Sequence, residues 1–123
     1  MRPYRNFAII GGCCGRSSII LTAETELTEL PTNEQAAVGH AVEKLESQGP
    51  NLGYPHSSAV RGARNLRELR PRGGRSRWRA FYRQIGPAFV VGAIGPEANV
   101  NQRRFDRAVS DAERRIDDVR GDQ

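Results

Sequence analysis

The sequence predicts a small α+β domain, in which an antiparallel sheet of about four strands packs against two N-terminal helices and a C-terminal helix. Three observations predict this class. Apolar residues recur at helical spacing after residue 32, short strand-like segments separated by Gly and Pro lie between residues 66 and 94, and an amphipathic segment follows them. The 123 residues suit one domain, and a composition of 37% hydrophobic and 27% charged residues is ordinary for a globular protein.

The first predicted elements are a strand and two helices. "SSIILT", residues 17–22, is a β-branched run typical of a strand, and "AETELTEL", residues 23–30, is a short helix. "TNEQ" then has the capping-box pattern, with Thr32 and Gln35 in the paired positions. Apolar residues follow at helical spacing, so a second helix is expected over 32–48.

The segment "RGARNLRELRPRGGRSRWRAFYR", residues 61–83, admits two local structures in its first half. A helix over 59–69 would align apolar residues on one side, at a cost of about 1 kcal/mol for Gly62. A strand at "LRELR" would instead pair across "PRGG" with "RSRWRAFYR". Pro71 followed by two glycines suits a hairpin loop, which favours the strand.

Alternation and amphipathicity define the rest of the chain. Residues 76–83 alternate as a strand does, with Arg77, Arg79, Phe81 and Arg83 on one face and Trp78, Ala80 and Tyr82 on the other. "AFVVGAI", residues 88–94, follows a turn at "IGP" and completes three consecutive antiparallel strands. Residues 102–119 form an amphipathic pattern typical of a helix.

Positive charge is concentrated in one part of the chain. Residues 61–83 hold nine arginines and one acid, Glu68, a net charge of +8, whereas the whole chain carries +5. The remaining residues are therefore acidic on balance. A local basic patch of this kind favours an anionic partner, either a nucleic acid or an acidic protein.

The two ends of the chain carry no predicted element. We interpret residues 1–16 as a disordered leader or as the product of a start codon assigned too early, and residues 120–123 as a disordered tail.

Cys13 and Cys14 are adjacent, so they are poorly placed to bridge each other or to bind zinc, and free thiols in a reducing compartment are expected. The longest apolar run near the N-terminus is too short for a signal peptide or a membrane span. We expect a cytoplasmic protein without membrane association.

An ordered set of motifs within "GPNLGYPHSSAVRGARNLRELRPRGGRSRWRAFYRQIGPAFVVGAI" resembles the toxins of the RelE/ParE superfamily, and particularly their HigB-like, phage-related branch. The most specific parts are "LGYPH", "LRELR" and "RWRAFY", in that order. In that branch a helix runs into the first motif, a strand carries the second, and a hairpin leads to the third. A hydrophobic strand and a C-terminal helix follow. The resemblance covers about residues 17–119 and implies a strand at "LRELR".

The resemblance implies a RelE-like toxin domain over 17–119, which most often is an endoribonuclease that cuts mRNA in the ribosomal A site. It also implies silencing by an antitoxin encoded by an adjacent gene. Such cleavage needs no metal or cofactor, because the ribose 2′-OH attacks the neighbouring phosphate once its proton is removed. Arginine can stabilise the developing charge on the phosphoryl oxygens with its planar fork.

Four residues are candidates for catalysis. By the resemblance, Arg70 is the arginine of the "ELR" strand and Arg79 the arginine of the aromatic strand. Relatives commonly carry a lysine after the hydrophobic strand, where this chain has Glu97. Arg103, from the start of the last helix, is a candidate substitute for that lysine. His56, in "YPH", is a candidate proton-transfer group, because histidine as a class titrates near neutral pH.

The other notable side chains are assigned to RNA binding or to the fold. Arginines expected to hold RNA are Arg61, Arg64, Arg72, Arg75, Arg77 and Arg104. His40 is expected to be structural or on the surface, and Glu68 to orient an arginine. Trp78 and Tyr82 are expected in the core.

Two functions from different classes stay open. The first is an mRNA endoribonuclease that acts at the ribosome. The second is a binding module without nuclease activity, either a ParE-like gyrase inhibitor or a degenerate toxin that binds only antitoxin or RNA. Glu97 near the expected lysine keeps the second function open.

Overall fold

A computed structural model describes residues 7–10 and 17–121 of the chain. Its elements are β1 Phe7–Ile10, β2 Ser17–Ile20, α1 Leu21–Thr28, α2 Thr32–Gln48, β3 Ser57–Ala59, β4 Arg67–Leu69, β5 Trp78–Ile85, β6 Ala88–Pro96 and α3 Gln102–Gly121. The predicted disordered leader does not hold for residues 7–10, which form β1. The rest of residues 1–16 lies outside the described residues, as do residues 122–123 of the predicted tail.

The strands form one six-stranded sheet in the order β1-β2-β6-β5-β4-β3. β2 pairs in parallel with β6, and the other neighbours pair antiparallel. The α+β class and the three consecutive antiparallel strands β4, β5 and β6 are confirmed. The sheet is wider than the expected four strands because of its two edge strands, which are four and three residues long. Strands this short give alternation too little length to be detected.

Helices cover both faces of the sheet. α1 and α2 pack on one face, where Val38, Val42 and Leu45 meet Ala80 and Tyr82 of β5. α3 packs on the opposite face through Ala108, Ala112 and Ile116, which meet Phe81 of β5 and Val90 of β6. The predicted alternation along β5 is therefore confirmed, and its arginine face lies on the α3 side of the sheet.

α3 packs closely against β6 at two glycines that face it. A Cβ on Gly92 would lie 2.9 Å from Cδ1 of Ile116 and 3.0 Å from Cα of Ala112. A Cβ on Gly95 would lie 2.6 Å from Cβ of Ala108. Any larger residue at these positions would push the helix away from the sheet.

The capping box predicted at α2 does not form. Pro31 occupies the N-cap position and makes no side-chain capping bond, so Thr32 is already the first helical residue. The Gln35 side-chain amide instead donates to the carbonyl oxygens of Thr28 at 3.2 Å and Leu30 at 2.9 Å. Gln35 thereby links the end of α1 to the start of α2.

The arginine-rich segment is a loop, a short strand and a tight turn. Residues 61–66 form the loop, and "LREL" continues into β4, as the strand interpretation predicted. The turn at 71–74 has positive φ at Arg72, Gly73 and Gly74, of 56°, 63° and 94°. The two glycines take this conformation without strain, whereas a positive φ at Arg72 is uncommon for a residue with a side chain.

No helix within residues 7–10 and 17–121 is both long and apolar enough to span a bilayer.

Candidate nucleic-acid interface

Arg79 lies in the interior of the protein, with only 2% of its surface exposed. Its Nη1 donates to the carbonyl oxygens of Ser76 at 2.7 Å and Trp78 at 2.9 Å. Its Nη2 donates to Oε2 of Glu97 at 2.6 Å and lies 3.5 Å from the Gly74 carbonyl oxygen. Each Nη hydrogen therefore has an acceptor within the protein.

Two carboxylates stabilise this buried guanidinium. Burial lowers the pKa of Arg79, and the positive charge of Arg70 lowers it further, whereas Glu97 and Glu68 oppose both effects. Nε of Arg79 lies 3.6 Å from Oε1 of Glu68. Because an unpaired buried charge is costly, the two glutamates make the position of Arg79 tolerable.

Arg70 connects the buried network to the surface. Its Nη1 donates to Oε2 of Glu68 at 3.1 Å, and its Nε donates to the carbonyl oxygen of Pro55 at 2.9 Å. Its Cζ lies 5.0 Å from the centroid of the exposed Tyr54 ring. Glu68 thus pairs with both Arg70 and Arg79, and its predicted role in orienting an arginine is confirmed.

A groove of about 770 Å³ lies beside Arg70, between α2, the loop before β3 and the turn after β4. Four of the predicted site residues line it, namely His56, Arg70, Arg72 and Arg75. His40 and Lys44 line it from α2. Among the described residues, none of those that line the groove carries a carboxylate. Glu34 and Glu68 pair with Arg72 and Arg70 from outside the lining, and Lys44 and Arg75 leave the groove positive on balance.

A backbone hydrogen bond fixes the relative positions of His56 and Arg70. The N–H of Arg70 donates to the carbonyl oxygen of His56 at 2.8 Å, and the N–H of His56 donates to Gly53 at 2.9 Å. This ladder places the two side chains at neighbouring positions beside the groove. Gly74 gives Arg70 room, because a Cβ there would lie 2.7 Å from its Nη2.

Glu34 of α2 anchors the turn that borders the groove. Its Oε1 accepts from Oγ of Ser76 at 2.9 Å, and both oxygens accept from Nη1 of Arg72, at 3.2 Å and 3.1 Å. Burial raises the pKa of Glu34, but the bonds from Ser76 and Arg72 and the charges of Arg72 and Arg77 outweigh it, so the pKa is lowered overall. The carboxylate therefore holds the turn against α2 in its charged form.

Residues 25–86 match the family described as phage-derived protein Gp49-like (DUF891). The matched segment is half of the chain and contains α2, β3, β4, β5 and every residue that lines the groove. The chain belongs to the Gp49-like family. This family is RelE-toxin-like and is associated with the toxins of toxin–antitoxin systems, which confirms the predicted superfamily. Comparisons with curated proteins and with solved structures find no match.

The other predicted site residues of this Gp49-like chain lie apart from the groove. Arg103 and Arg104 line a separate cleft of about 240 Å³ at the start of α3, together with Asn101 and Arg107. Cζ of Arg104 also lies 5.9 Å from the centroid of the Trp78 ring. The structure therefore does not bring Arg103 to His56 and Arg70.

The remaining predicted RNA-binding arginines are exposed, but not in one place. Arg61 and Arg64 lie in the loop between β3 and β4, and Arg77 lies just before β5. Arg83 is one of the nine arginines counted in the basic segment 61–83, but it is buried. Its Nη1 donates to Oδ1 of Asp117 at 2.7 Å. The basic patch of the Gp49-like chain is therefore partly a set of structural ion pairs.

Sequence reasoning missed two residues of the groove, His40 and Lys44. His40 was expected to be structural or on the surface, and Lys44 was given no role. The signal that could have found them is their spacing, because residues four apart on a helix lie on one face. That face adjoins the buried face of Val38, Val42 and Leu45, at the edge where α2 meets the rest of the Gp49-like domain.

Proposed function

We propose that this chain is the toxin of a type II toxin–antitoxin system and that it cleaves mRNA at the ribosome without a metal. The observation that carries the proposal is the convergence of His56, Arg70, Arg72 and Arg75 on one groove. Guanidinium groups bind phosphate through two parallel hydrogen bonds and stay charged at working pH. An RNA backbone is the anion that this arrangement suits in a toxin of this superfamily.

The groove residues can be assigned to the steps of the reaction. The ribose 2′-OH loses its proton to His56 as its oxygen attacks the adjacent phosphorus, and the bond from phosphorus to the 5′-oxygen breaks. The leaving 5′-oxygen takes up a proton from water, and the resulting hydroxide is neutralised by the proton that His56 accepted, which gives a 2′,3′-cyclic phosphate and a 5′-hydroxyl end. Arg70 and Arg75 stabilise the negative charge that develops on the phosphoryl oxygens.

Arg79 has a positioning role in this proposal. The sequence assigned it a direct contact with the phosphate, but its Nη hydrogens already bond to Ser76, Trp78, Gly74 and Glu97. It acts on the groove through Glu68, which contacts both Arg79 and Arg70. The phosphate contact assigned to Arg79 therefore passes to Arg70.

A second candidate function is binding without cleavage, either of RNA, of the antitoxin or of gyrase. One observation favours it. Glu97 lies near the position where relatives carry a lysine, and it pairs with Arg79 at 2.6 Å. A carboxylate at this point removes one cation from the predicted catalytic set and neutralises a second.

Translating ribosomes test the two functions directly. Purified protein is added to ribosomes that translate a defined mRNA, with and without a metal chelator, and the new 5′ ends are mapped. We expect cleavage by wild type that His56→Ala and Arg70→Ala abolish and that Arg103→Ala retains. Intact mRNA with wild type, together with measurable RNA binding, would move the chain to the binding function.

A further inference from the structure

One wall of the groove has no role in the proposed reaction. Ala36, Ala37, His40, Ala41 and Lys44 of α2 all line it. Their spacing of i, i+1, i+4, i+5 and i+8 places them on one face of the helix. This face presents small apolar side chains in the middle and two nitrogen-bearing side chains beside them.

Charge on this wall matches the charge on the opposite rim. Lys44 is the single lysine of the chain, and it lies in the groove with Arg70 and Arg75 across from it. α2 also carries Glu34, Glu43 and Glu46. Among the described residues, the groove lining includes none of these three glutamates. Both sides of the groove therefore attract an anionic chain.

The shape of the groove suits an unpaired nucleotide. The apolar part of its lining, which we call the floor, consists of Ala36, Ala37 and Ala41 of the α2 wall with Pro55 and Leu69. Its volume of about 770 Å³ lies in the usual range for small-molecule clefts. A base presents a flat apolar surface, and its flanking phosphates lie on either side of it. In a duplex the bases are stacked and paired, so they cannot enter such a cleft.

We propose that the α2 wall is a binding subsite for single-stranded RNA. One base lies on the alanine floor, Lys44 and His40 hold the backbone on the α2 side, and the arginines hold it on the other. This inference rests on the proposed function, because it takes RNA to be what enters the groove. Continuity with His56 and Arg70 favours RNA over an acidic peptide as the occupant.

Salt dependence tests the charge of the subsite. The probe is a fluorescent, 2′-O-methylated oligouridylate of about ten nucleotides, which cannot be cut by 2′-OH attack and falls within the usual single-strand site sizes. Its affinity is measured by anisotropy over a range of salt. Lys44→Ala should lower the log–log slope by about 0.7, the value for one phosphate contact on a single strand. The matched control is Arg114→Ala, which removes one charge from an exposed pair with Asp111 on α3 and should leave the slope unchanged.

Added bulk tests the floor. Ala36 is exposed and lines the groove, so Ala36→Leu should fill the floor and keep the helix. We expect a loss of RNA affinity of about tenfold, the scale of one base–side-chain stacking contact, with an unchanged salt slope. Gly39→Leu places the same side chain on α2 in open space outside the groove and should have no effect on affinity. Circular dichroism of both variants checks the fold.

The outcomes separate this inference from the proposed function. If Arg70→Ala weakens binding while Lys44→Ala and Ala36→Leu behave like their controls, the subsite is wrong and the proposed function stands. If wild type binds no RNA, both are wrong. If a 2′-O-methylated duplex of the same length binds as tightly as the single strand, the proposal that an unpaired base enters the groove is wrong. Unchanged RNA binding with a weakened antitoxin complex would make the wall a protein-docking surface and overturn the proposal.

Discussion

Nη2 of Arg79 lies 2.6 Å from Oε2 of Glu97, and the arginine side chain of this pair is almost fully buried. Glu97 also donates its backbone N–H to the carbonyl oxygen of Arg77 at 2.8 Å. Glu97, the residue after β6, is thereby bonded to Arg77 just before β5 and to Arg79 within β5. The ion pair is consequently part of the fold as well as of the candidate site.

Replacing Glu97 by Gln should destabilise the protein. The amide keeps the shape but loses the charge that compensates the buried guanidinium, so we expect the free energy of unfolding to fall by about 1–3 kcal/mol. Urea denaturation measures the change. Glu43→Gln, on the exposed face of α2, is the control and should cost little. Equal losses in the two variants would show that the pair contributes nothing specific.

Arg79→Lys should act on stability before it acts on RNA binding. A lysine has three N–H donors in place of five and no planar fork, so buried carbonyl oxygens at Ser76 and Trp78 lose their donor. We expect a loss of about 2–4 kcal/mol in urea denaturation, with near-normal RNA affinity of the folded fraction. Arg75→Lys, in the exposed turn, is the stability control. If the variant has normal stability but weakened RNA binding, Arg79 contacts the phosphate directly, as the sequence predicted.

The Glu34 anchor should weaken in acid. Because its pKa is lowered in the folded protein, the carboxylate contributes stability that is present above the ordinary glutamate pKa of about 4.3 and is lost as the pH falls through the folded value. Glu34→Gln should therefore be less stable than wild type at pH 7. This difference should shrink below about pH 4. Urea midpoints of both proteins at several pH values measure it, and a difference that grows in acid would contradict the assignment.

The contact between α3 and β6 should be sensitive to one methyl group. Gly95→Ala would place a Cβ 2.6 Å from that of Ala108, so α3 must shift, at an expected cost of about 1–3 kcal/mol. Gly39→Ala, in open space on α2, should instead stabilise the protein by up to about 1 kcal/mol. Thermal and urea unfolding of the pair give the comparison. A stabilised Gly95→Ala would mean that the helix adapts freely.

Elements with a clear period were predictable from the sequence. α2 and α3 follow helical apolar spacing, and the alternation of Ala80 and Tyr82 against Phe81 correctly separated the two faces of β5. β3 was missed because three residues are too few to show alternation. Its pairing with β4 depends on contacts that form only in the folded chain.

The candidate site was predictable by residue type more than by arrangement. His56 and Arg70 were named from their motifs, and the structure places both at the groove. The burial of Arg79 was not foreseen, because a run of arginines on one strand face gives no sign that the Gly74 and Ser76 carbonyl oxygens and the Glu97 carboxylate hold one of them in the interior. The pairing with Glu97 joins residues on different elements, and no local pattern encodes such a pair.

β2 and β6 lie side by side in the sheet, although most of the described chain separates them in sequence. β5 and β6, by contrast, are joined by the two-residue loop at Gly86 and Pro87, so their hairpin closes early and at small entropic cost. During synthesis β2 leaves the ribosome long before its partner exists. The side chains of Ile19 and Ile20, which are buried in the folded protein, therefore lack the β6 neighbours until residues 88–96 have been synthesised. A chain that ends before that point lacks β6, an inner strand, and therefore cannot complete the six-stranded sheet.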